Sequence, residues 1–233
     1  MPLRYALLLL FSAQIVFSRS GQTQPGTIPP LQEAVEHFDA AQAKVETLQT
    51  PFALTLRRAM LKTPTLTKGT LYLKGTDFAH FAFAAPEDLI LHLTPKALIS
   101  YSPAAKEGEF LKIGVFLNAN RKFLGLGQKL SYLQEYFQVG LGEAKDQPGA
   151  LFFTLIPRTL GMKKRFQVLH LWVDRDTWLP RRLEWVERSG DSWLLDLGPL
   201  QINQGLPASV TGFKVPEGTP LRSEFSFFAT RKR

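Results

Sequence analysis

Hydrophobic and polar residues alternate along several short stretches of the chain, most clearly within residues 165–197. Segments 167–173 and 181–187 contain no Gly or Pro and are rich in β-branched, aromatic and aliphatic residues, which is typical of strands. Turn-forming residues separate them at 174–180 and follow them at Ser189-Gly190-Asp191. We therefore predict three consecutive antiparallel strands here.

Both faces of this predicted sheet carry apolar residues. Leu169, Leu171 and Val173 share one face, while Val168, His170 and Trp172 share the other. Such a sheet must be covered on both sides or curl around an apolar interior. One set of side chains should face the curled interior, and we assign the set that contains Leu169 and Leu171 to it.

The N-terminal half predicts one helix followed by a meander of strands. Apolar residues at helical spacing between Leu31 and Leu48 predict a helix that follows Pro30 and ends at Pro51, and Phe52, Leu54 and Leu56 then alternate as a first strand. Further strands are predicted at 69–74, 78–83, 89–93, 97–101, 109–113 and 152–156, with a short link at 159–164 and an edge strand in the tail. Strands at this spacing indicate one antiparallel sheet, barrel-like in shape.

Residues 115–137 interrupt the strand pattern. Their apolar residues favour helical spacing, so we predict two short helices at about 115–124 and 129–137, with Gly125 and Gly127 allowing a bend between them. Helices inserted between strands can cover the open end of a curled sheet. We therefore expect this segment to be a mobile lid.

The first 30 residues indicate export. Arg4 precedes an apolar run at 5–17 and small residues near Ser18, which is the layout of a secretory signal peptide. The run is too short for an ordinary transmembrane helix, although an uncleaved anchor remains an alternative. The predicted organisation is a signal peptide at 1–20, a disordered leader at 21–30 and a single domain at 31–233.

Composition and charge narrow the classes of function. The chain has no cysteine, which excludes disulfides, thiolate chemistry and lipidated cysteine, and it has 18 phenylalanines. Its net charge of +8 comes from short scattered clusters without a nucleic-acid motif, so we expect no nucleic-acid partner. Attraction to an anionic membrane surface explains the charge, and so does an ordinary solvated surface.

Motifs for catalysis are missing from the sequence. It contains no GxSxG elbow, P-loop or HExxH, and we predict no enzyme activity, no cofactor and no metal site. His80, His92 and His170 lie on predicted strands and could converge on a metal, but the favoured interpretation is that neighbouring backbone groups or water satisfy them. Asp174 and Asp176 are interpreted as turn residues rather than as a calcium loop.

Several motifs, in this order and spacing, resemble the periplasmic outer-membrane lipoprotein carriers (LolA-like) over residues 31–220. They are Phe52-Ala53-Leu54-Thr55, Gly69-Thr70-Leu71-Tyr72-Leu73, Phe78 to Phe83 followed by Pro86, Leu98 to Pro103, Val173 to Asp176 before Leu179-Pro180, and Phe213 to Gly218. The resemblance implies a mainly β (α+β) fold, an unclosed antiparallel β-barrel with an N-terminal helix and an inserted helical lid over an apolar cavity. It also implies a monomer in the periplasm that ferries lipoprotein acyl chains, without catalysis, from an inner-membrane ABC-type donor complex to an outer-membrane acceptor.

The chain departs from the family at one position. Members often carry an Arg-Pro pair after the second strand, where the arginine latches the lid, and here that place is Gly75-Thr76. Lys74 is the candidate substitute, although it lacks the planar fork of arginine.

Acyl chains suit the predicted interior, since each buried methylene contributes about 0.8 kcal/mol. The predicted lipid-binding residues are Leu71, Leu73, Phe81, Phe83, Leu91, Phe116, Leu117, Phe123, Leu124, Leu169, Leu171 and Trp185. An ordinary packed core explains the same residues equally simply. A lipid-sensing regulatory protein of the same fold and a carrier of another envelope lipid remain alternatives, whereas an outer-membrane acceptor would normally need a lipidated cysteine.

Overall fold

A computed structural model of the chain describes residues 28–112 and 127–223. The predicted signal peptide and most of the leader lie outside the described residues, as do the predicted lid helix at 115–124 and the end of the tail. No helix among the described residues is long and apolar enough to cross a membrane.

The described chain is mainly β-structure with four short or medium helices. The helices are α1 (Leu31–Gln42), α2 (Leu130–Leu133), α3 (Leu160–Arg165) and α4 (Ala208–Thr211). The strands are β1 (Thr47–Arg57), β2 (Thr65–Lys74), β3 (Phe78–Phe83), β4 (Ile90–Leu93), β5 (Ala97–Ser102), β6 (Glu107–Lys112), β7 (Phe137–Glu143), β8 (Ala150–Pro157), β9 (Phe166–Asp174), β10 (Pro180–Glu187), β11 (Ser192–Leu197), β12 (Gln201–Ile202) and β13 (Leu221–Arg222).

All described strands form one sheet in the order β13-β6-β5-β4-β3-β2-β1-β11-β10-β9-β8-β7, with β12 paired to β1. The neighbours are antiparallel except β13 and β6, which are parallel. Within the described ranges β7 and β13 form the two edges, so the curled sheet is unclosed. The predicted fold class, an open antiparallel barrel with an N-terminal helix, is confirmed.

The three strands predicted within 165–197 are β9, β10 and β11, and the tail does reach the sheet edge as β13. Cross-strand pairs Leu169 with Trp185 and Leu171 with Leu183 place the Leu169 face inside the curl. Helix α1 packs on this concave face through Ala34, Val35 and Phe38, and the ring centroid of Phe38 lies 6.4 Å from that of Phe153. The core therefore lies between α1 and the inner face of the sheet.

The predicted end of the first helix was wrong. Helix α1 ends at Gln42, and Leu48 and Pro51 belong to β1. The Pro51 oxygen accepts from the Gly198 N–H at 2.8 Å, so this side of Pro51 faces the β11–β12 connection rather than β2. The strand tolerates proline because the missing N–H of Pro51 would point to that same side and not into the pairing with β2. Burial in the sheet outweighs the helical spacing of Leu48.

The predicted helix at 129–137 was also wrong in extent. Only Leu130–Leu133 is helical, and Phe137 begins β7, a strand that the sequence pattern did not indicate. Gly140 and Gly142 occupy outward positions where a strand normally shows β-branched side chains, which weakened the signal. The segment predicted as a link at 159–164 is α3, capped by the Thr159 side chain.

Candidate functional site

The concave face of the sheet brings together the predicted lipid-binding residues that the structure describes. Leu71, Leu73, Phe83, Leu91, Leu169 and Leu171 are buried in one apolar cluster, against which Phe81 and Trp185 pack half-buried. Phe116, Leu117, Phe123 and Leu124 lie outside the described residues. The eight described positions thus share one surface.

Strand register explains why distant residues share this face. Leu71 pairs with Phe81, and Phe81 pairs with Leu91, so β2, β3 and β4 place them in one row. In the other half of the sheet Leu155, Leu169 and Trp185 form a corresponding row across β8, β9 and β10. Both rows are apolar because side chains directly opposite across antiparallel strands point to the same side.

Helix α2 occupies part of the concave face. Leu130 and Leu133 are buried, and Leu133 lines a residual cavity of about 20 Å³ with Leu155, Leu169 and Trp185. This volume is enough for roughly one water molecule and far too small for an acyl chain. The described conformation is therefore a filled one, in which the side chains of α2 take space that a ligand would need.

Asp39 of α1 holds α2 in place. Its Oδ1 accepts from the Leu130 N–H at 2.6 Å, and its Oδ2 accepts from the Ser131 N–H at 3.3 Å. These amides at the start of α2 have no partner within the helix, and a carboxylate also complements the positive end of the helix dipole. The contact joins two elements that are 91 residues apart.

The β2–β3 turn, where the family carries its latch arginine, contacts the same segment. The Gln128 Nε2 donates to the Thr76 oxygen at 3.4 Å, and a Cβ on Gly127 would lie 3.2 Å from the Gly75 oxygen. Gly127 has φ of +73°, a conformation that favours glycine. Lys74 is exposed, whereas Asp39 makes a charged contact to α2, which belongs to the segment predicted as a lid.

Sequence reasoning missed Asp39. A single acidic residue within a helix is ordinary solvated surface in most chains, and its partner is a backbone amide rather than a basic side chain. No spacing rule connects the two positions. Only the packing of α1 beside α2 reveals the contact.

A larger cavity of about 440 Å³ lies at one end of the sheet. It lies where the β9–β10 turn meets the β11–β12 connection, and charged residues Asp174, Arg181 and Asp196 contribute to its wall together with Leu179, Leu197 and Leu200. Arg181 forms an ion pair with Asp174 there. Its mixed wall is less suited to an acyl chain than the concave face.

Asp174 is a turn residue, as predicted. Its Oδ1 accepts from the Asp176 N–H at 2.9 Å and from the N–H and hydroxyl of Thr177 at 2.7 and 2.9 Å. Burial by itself raises the pKa of Asp174, but the Thr177 hydrogen bonds, the Arg181 charge and the Asp176 amide together lower it below its ordinary value. The carboxylate is therefore structural.

The three strand histidines do not converge. His80 and His92 meet on the convex face with their Nδ1 atoms 3.0 Å apart, while the Nδ1 of His170 lies 2.8 Å from the Oε2 of Glu184 in the other half of the sheet. No group of three or more potential metal-ligating side chains occurs among residues 28–112 and 127–223. These contacts are with side chains, whereas the interpretation from the sequence named neighbouring backbone or water.

No family model matches the chain, and no curated protein matches its sequence. Solved structures resemble it, among them an uncharacterized conserved protein from Thermus thermophilus, with 10% identity over 83% of this chain and 98% of that one and a TM-score of 0.49. A LolA superfamily protein from Nitrosomonas europaea has 12% identity over 79% and 97% of the two chains and a TM-score of 0.40. MucB in the Pseudomonas aeruginosa MucA/MucB complex has 13% identity over 75% and 59%, with a TM-score of 0.42.

The inclusion of a LolA superfamily protein agrees with the resemblance predicted from the sequence. All three identities are below 25% and all three TM-scores are below 0.5, so the likeness concerns overall architecture alone. The chemistry of the site must come from the residues of this chain.

Proposed function

We propose that the protein is a periplasmic carrier that binds acyl chains on the concave face of its sheet and performs no catalysis. The observation that supports this most directly is the occupation of that face by α2. A carrier must hold apolar cargo and also release it, which requires an empty state that is not left as an open apolar cavity. Leu130 and Leu133 fill the space in this way.

Cargo binding then replaces one set of apolar contacts with another. An acyl chain of about 16 carbons gains on the order of 10 kcal/mol on burial, and displacing two leucines and the Asp39 contacts offsets a part of that gain. The net affinity is lower than for an empty cavity, so cargo can be passed on. Acyl chains of lipoproteins are the proposed cargo, received from an inner-membrane ABC-type complex and delivered to an outer-membrane acceptor.

The proposed location and processing follow from the N-terminal pattern, with the apolar run at 5–17 acting as a cleaved signal peptide. N-terminal sequencing of the exported protein tests this step. Retention of Met1 in a membrane fraction would contradict a freely diffusing carrier.

A matched pair of substitutions tests the binding face. Phe81 points to the concave side and its neighbour Ala82 to the convex side, and both are half-buried. Phe81→Asp introduces a carboxylate into the proposed binding surface and should reduce uptake of a fluorescent fatty-acid probe at least tenfold, because an unpaired buried carboxylate is costly. Ala82→Asp should leave uptake near the parent value.

Circular dichroism of both variants controls for folding. Equal probe uptake by two folded variants would contradict acyl binding on the concave face. Lipid extraction from the protein purified from its own periplasm, followed by mass spectrometry, identifies the cargo and distinguishes a lipoprotein carrier from a carrier of another envelope lipid.

A further inference from the structure

One end of the sheet combines exposed apolar side chains with basic residues. The β1–β2, β8–β9 and β10–β11 connections all leave the sheet at this end, because successive antiparallel strands reverse direction. The basic end is defined here as residues 57–62, 158–165 and 188. We propose that the basic end docks on the surface of an anionic lipid bilayer.

The β1–β2 connection supplies the apolar tip. Met60 is 95% exposed and Leu61 is 60% exposed, which is unusual for two consecutive large apolar residues. Arg57 and Arg58 precede them and Lys62 follows. A loop of this composition can place apolar side chains among lipid headgroups while its cations contact phosphates.

Helix α3 repeats the combination. Leu160, in its first turn, is 78% exposed, and Lys163, Lys164 and Arg165 form its last turn. The buried Met162 anchors the helix to the protein. The apolar and basic side chains therefore stay exposed on an element that is fixed in place.

Hydrogen bonds hold these connections side by side. The Ala59 N–H donates to Oδ1 of Asp191 at 2.9 Å, which fixes the β1–β2 connection to the β10–β11 turn. The Arg188 N–H donates to the Arg165 oxygen and its Nε to the Lys163 oxygen, both at 3.0 Å, which fixes the same turn to α3. The three connections thus form one surface.

Charge distinguishes this end from the opposite one. At the opposite end Arg175 lies near Glu143 and Arg181 near Asp174, although Lys96 and Lys145 are exposed there too. Within the described ranges Lys62, Lys163 and Lys164 form no ion pair, and all three are exposed. Glu187 and Asp191 flank the β10–β11 turn and Glu135 precedes β7 at this end, and the cations of the basic end outnumber them.

The basic end does not extend to every connection at this end of the sheet. The β3–β4 connection leaves from the same end of the sheet but carries Glu87 and Asp88. The excess of cations is therefore confined to the half of the sheet that contains β1 and β8 to β11. An anionic bilayer is the partner whose charge and apolar interior complement both features of this half.

The concave face is half-open next to the same end. Leu56, Trp193 and Trp185 form its outermost row there, each half-buried and paired across β1, β11 and β10. Tryptophan is favoured at the boundary between water and lipid. Docking at the basic end would place this row beside the membrane, where an acyl chain could enter or leave.

Vesicle sedimentation tests the proposal without requiring acyl binding. The purified protein should bind phosphatidylcholine vesicles that contain phosphatidylglycerol and bind pure phosphatidylcholine vesicles much more weakly. Lys163→Glu/Lys164→Glu should weaken binding about tenfold or more, since each basic residue near an anionic surface contributes appreciably. Met60→Ser/Leu61→Ser should weaken it severalfold, and raised salt should weaken the binding of the parent.

Lys96→Glu/Lys145→Glu is the matched control, because these exposed lysines lie in the β4–β5 and β7–β8 connections at the opposite end. This control variant should bind anionic vesicles far better than Lys163→Glu/Lys164→Glu does. Equal binding by both double variants, or no preference of the parent for anionic vesicles, would overturn the proposal. All proteins compared share the same N-terminal segment, so that segment cannot cause a difference between them.

The fatty-acid probe assay separates this inference from the proposed function. A protein that takes up the probe but ignores anionic vesicles would refute docking and leave the carrier function standing. A protein that binds anionic vesicles but takes up no probe would support docking and refute the carrier function. Unchanged vesicle binding by Lys163→Glu/Lys164→Glu would show that the protein does not dock through the basic end.

Discussion

His80 and His92 bring their Nδ1 atoms to within 3.0 Å of each other on the convex face of the sheet. The ring of Phe213, from the segment after α4, covers both, with centroid distances of 5.3 and 5.0 Å. Tyr72 also contacts the ring of His80, and Phe78 that of His92. One imidazole must donate and the other accept, so at least the accepting ring must be neutral.

The first prediction concerns the pH dependence of stability. Burial, with the charge of His92 as the second cause, lowers the pKa of His80 from 6.5 to about 4, and burial lowers the pKa of His92. Because the unfolded chain binds protons more readily over this range, stability is complete above about pH 6.5 and falls as the pH drops towards 4. We expect the free energy of unfolding, measured with urea, to fall by about 1–2 kcal/mol between pH 7 and pH 5.

The double variant His80→Leu/His92→Leu should lack most of this loss. His37→Gln is the control, since His37 lies on the exposed side of α1, and it should keep the parent profile. A parent protein with constant stability between pH 7 and 5 would show that the histidine pair is not protonated on unfolding in this range.

The second prediction concerns Asp39. Asp39→Ala removes the acceptor for the Leu130 and Ser131 amides and should destabilise the attachment of α2 by about 1 kcal/mol, as loss of a helix cap does. Amide hydrogen exchange within Leu130–Leu133 should accelerate about fivefold while exchange in β9 stays slow. Glu36→Ala, on the exposed surface of the same helix, is the control.

If α2 is the element that ligand must displace, Asp39→Ala should also take up a fatty-acid probe faster than the parent. Unchanged exchange in α2 would show that its attachment rests on apolar packing alone. Slower probe uptake would contradict a gating role.

The third prediction concerns Gly69 in β2. A Cβ at this position would lie 2.2 Å from the Ala82 oxygen and 2.9 Å from the Phe52 ring, so Gly69→Ala forces a shift of backbone or ring. We expect a loss of about 2 kcal/mol or more in the free energy of unfolding. Gly142→Ala in β7 meets no atom within 4 Å and should change stability by less than about 0.5 kcal/mol.

The fourth prediction concerns Asp174. The pKa of Asp174 is lower in the folded state than its ordinary value of 3.8. The ionised carboxylate therefore contributes to the free energy of unfolding above about pH 3.8, and this contribution is lost as the pH falls below that value. Asp174→Asn keeps the shape of the side chain but removes its charge. It should lower the free energy of unfolding, measured with urea, by about 1–2 kcal/mol at pH 7 and by less at pH 3. An equal cost at both pH values would indicate that the hydrogen bonds act without the charge.

The alternation of residues along the chain determined the strands and their faces. Leu169 and Leu171 were predicted to share a side because side chains alternate along any extended chain, and turn residues such as Ser189-Gly190-Asp191 mark the reversal between strands locally. Both signals depend on residues within a few positions of one another. They were sufficient to predict one antiparallel, barrel-like sheet, whereas its unclosed form was implied by the family resemblance.

Tertiary structure alone decided where α1 ends and what holds α2. Helical spacing predicted that the first helix extends to Pro51. Residues from Thr47 onward are a strand instead, because they pair with β2 on one side and with β11 and β12 on the other. Asp39 meets Leu130 across 91 residues, and His80 meets His92 through the register of β3 and β4. Such contacts arise from packing between elements, which local sequence patterns do not encode.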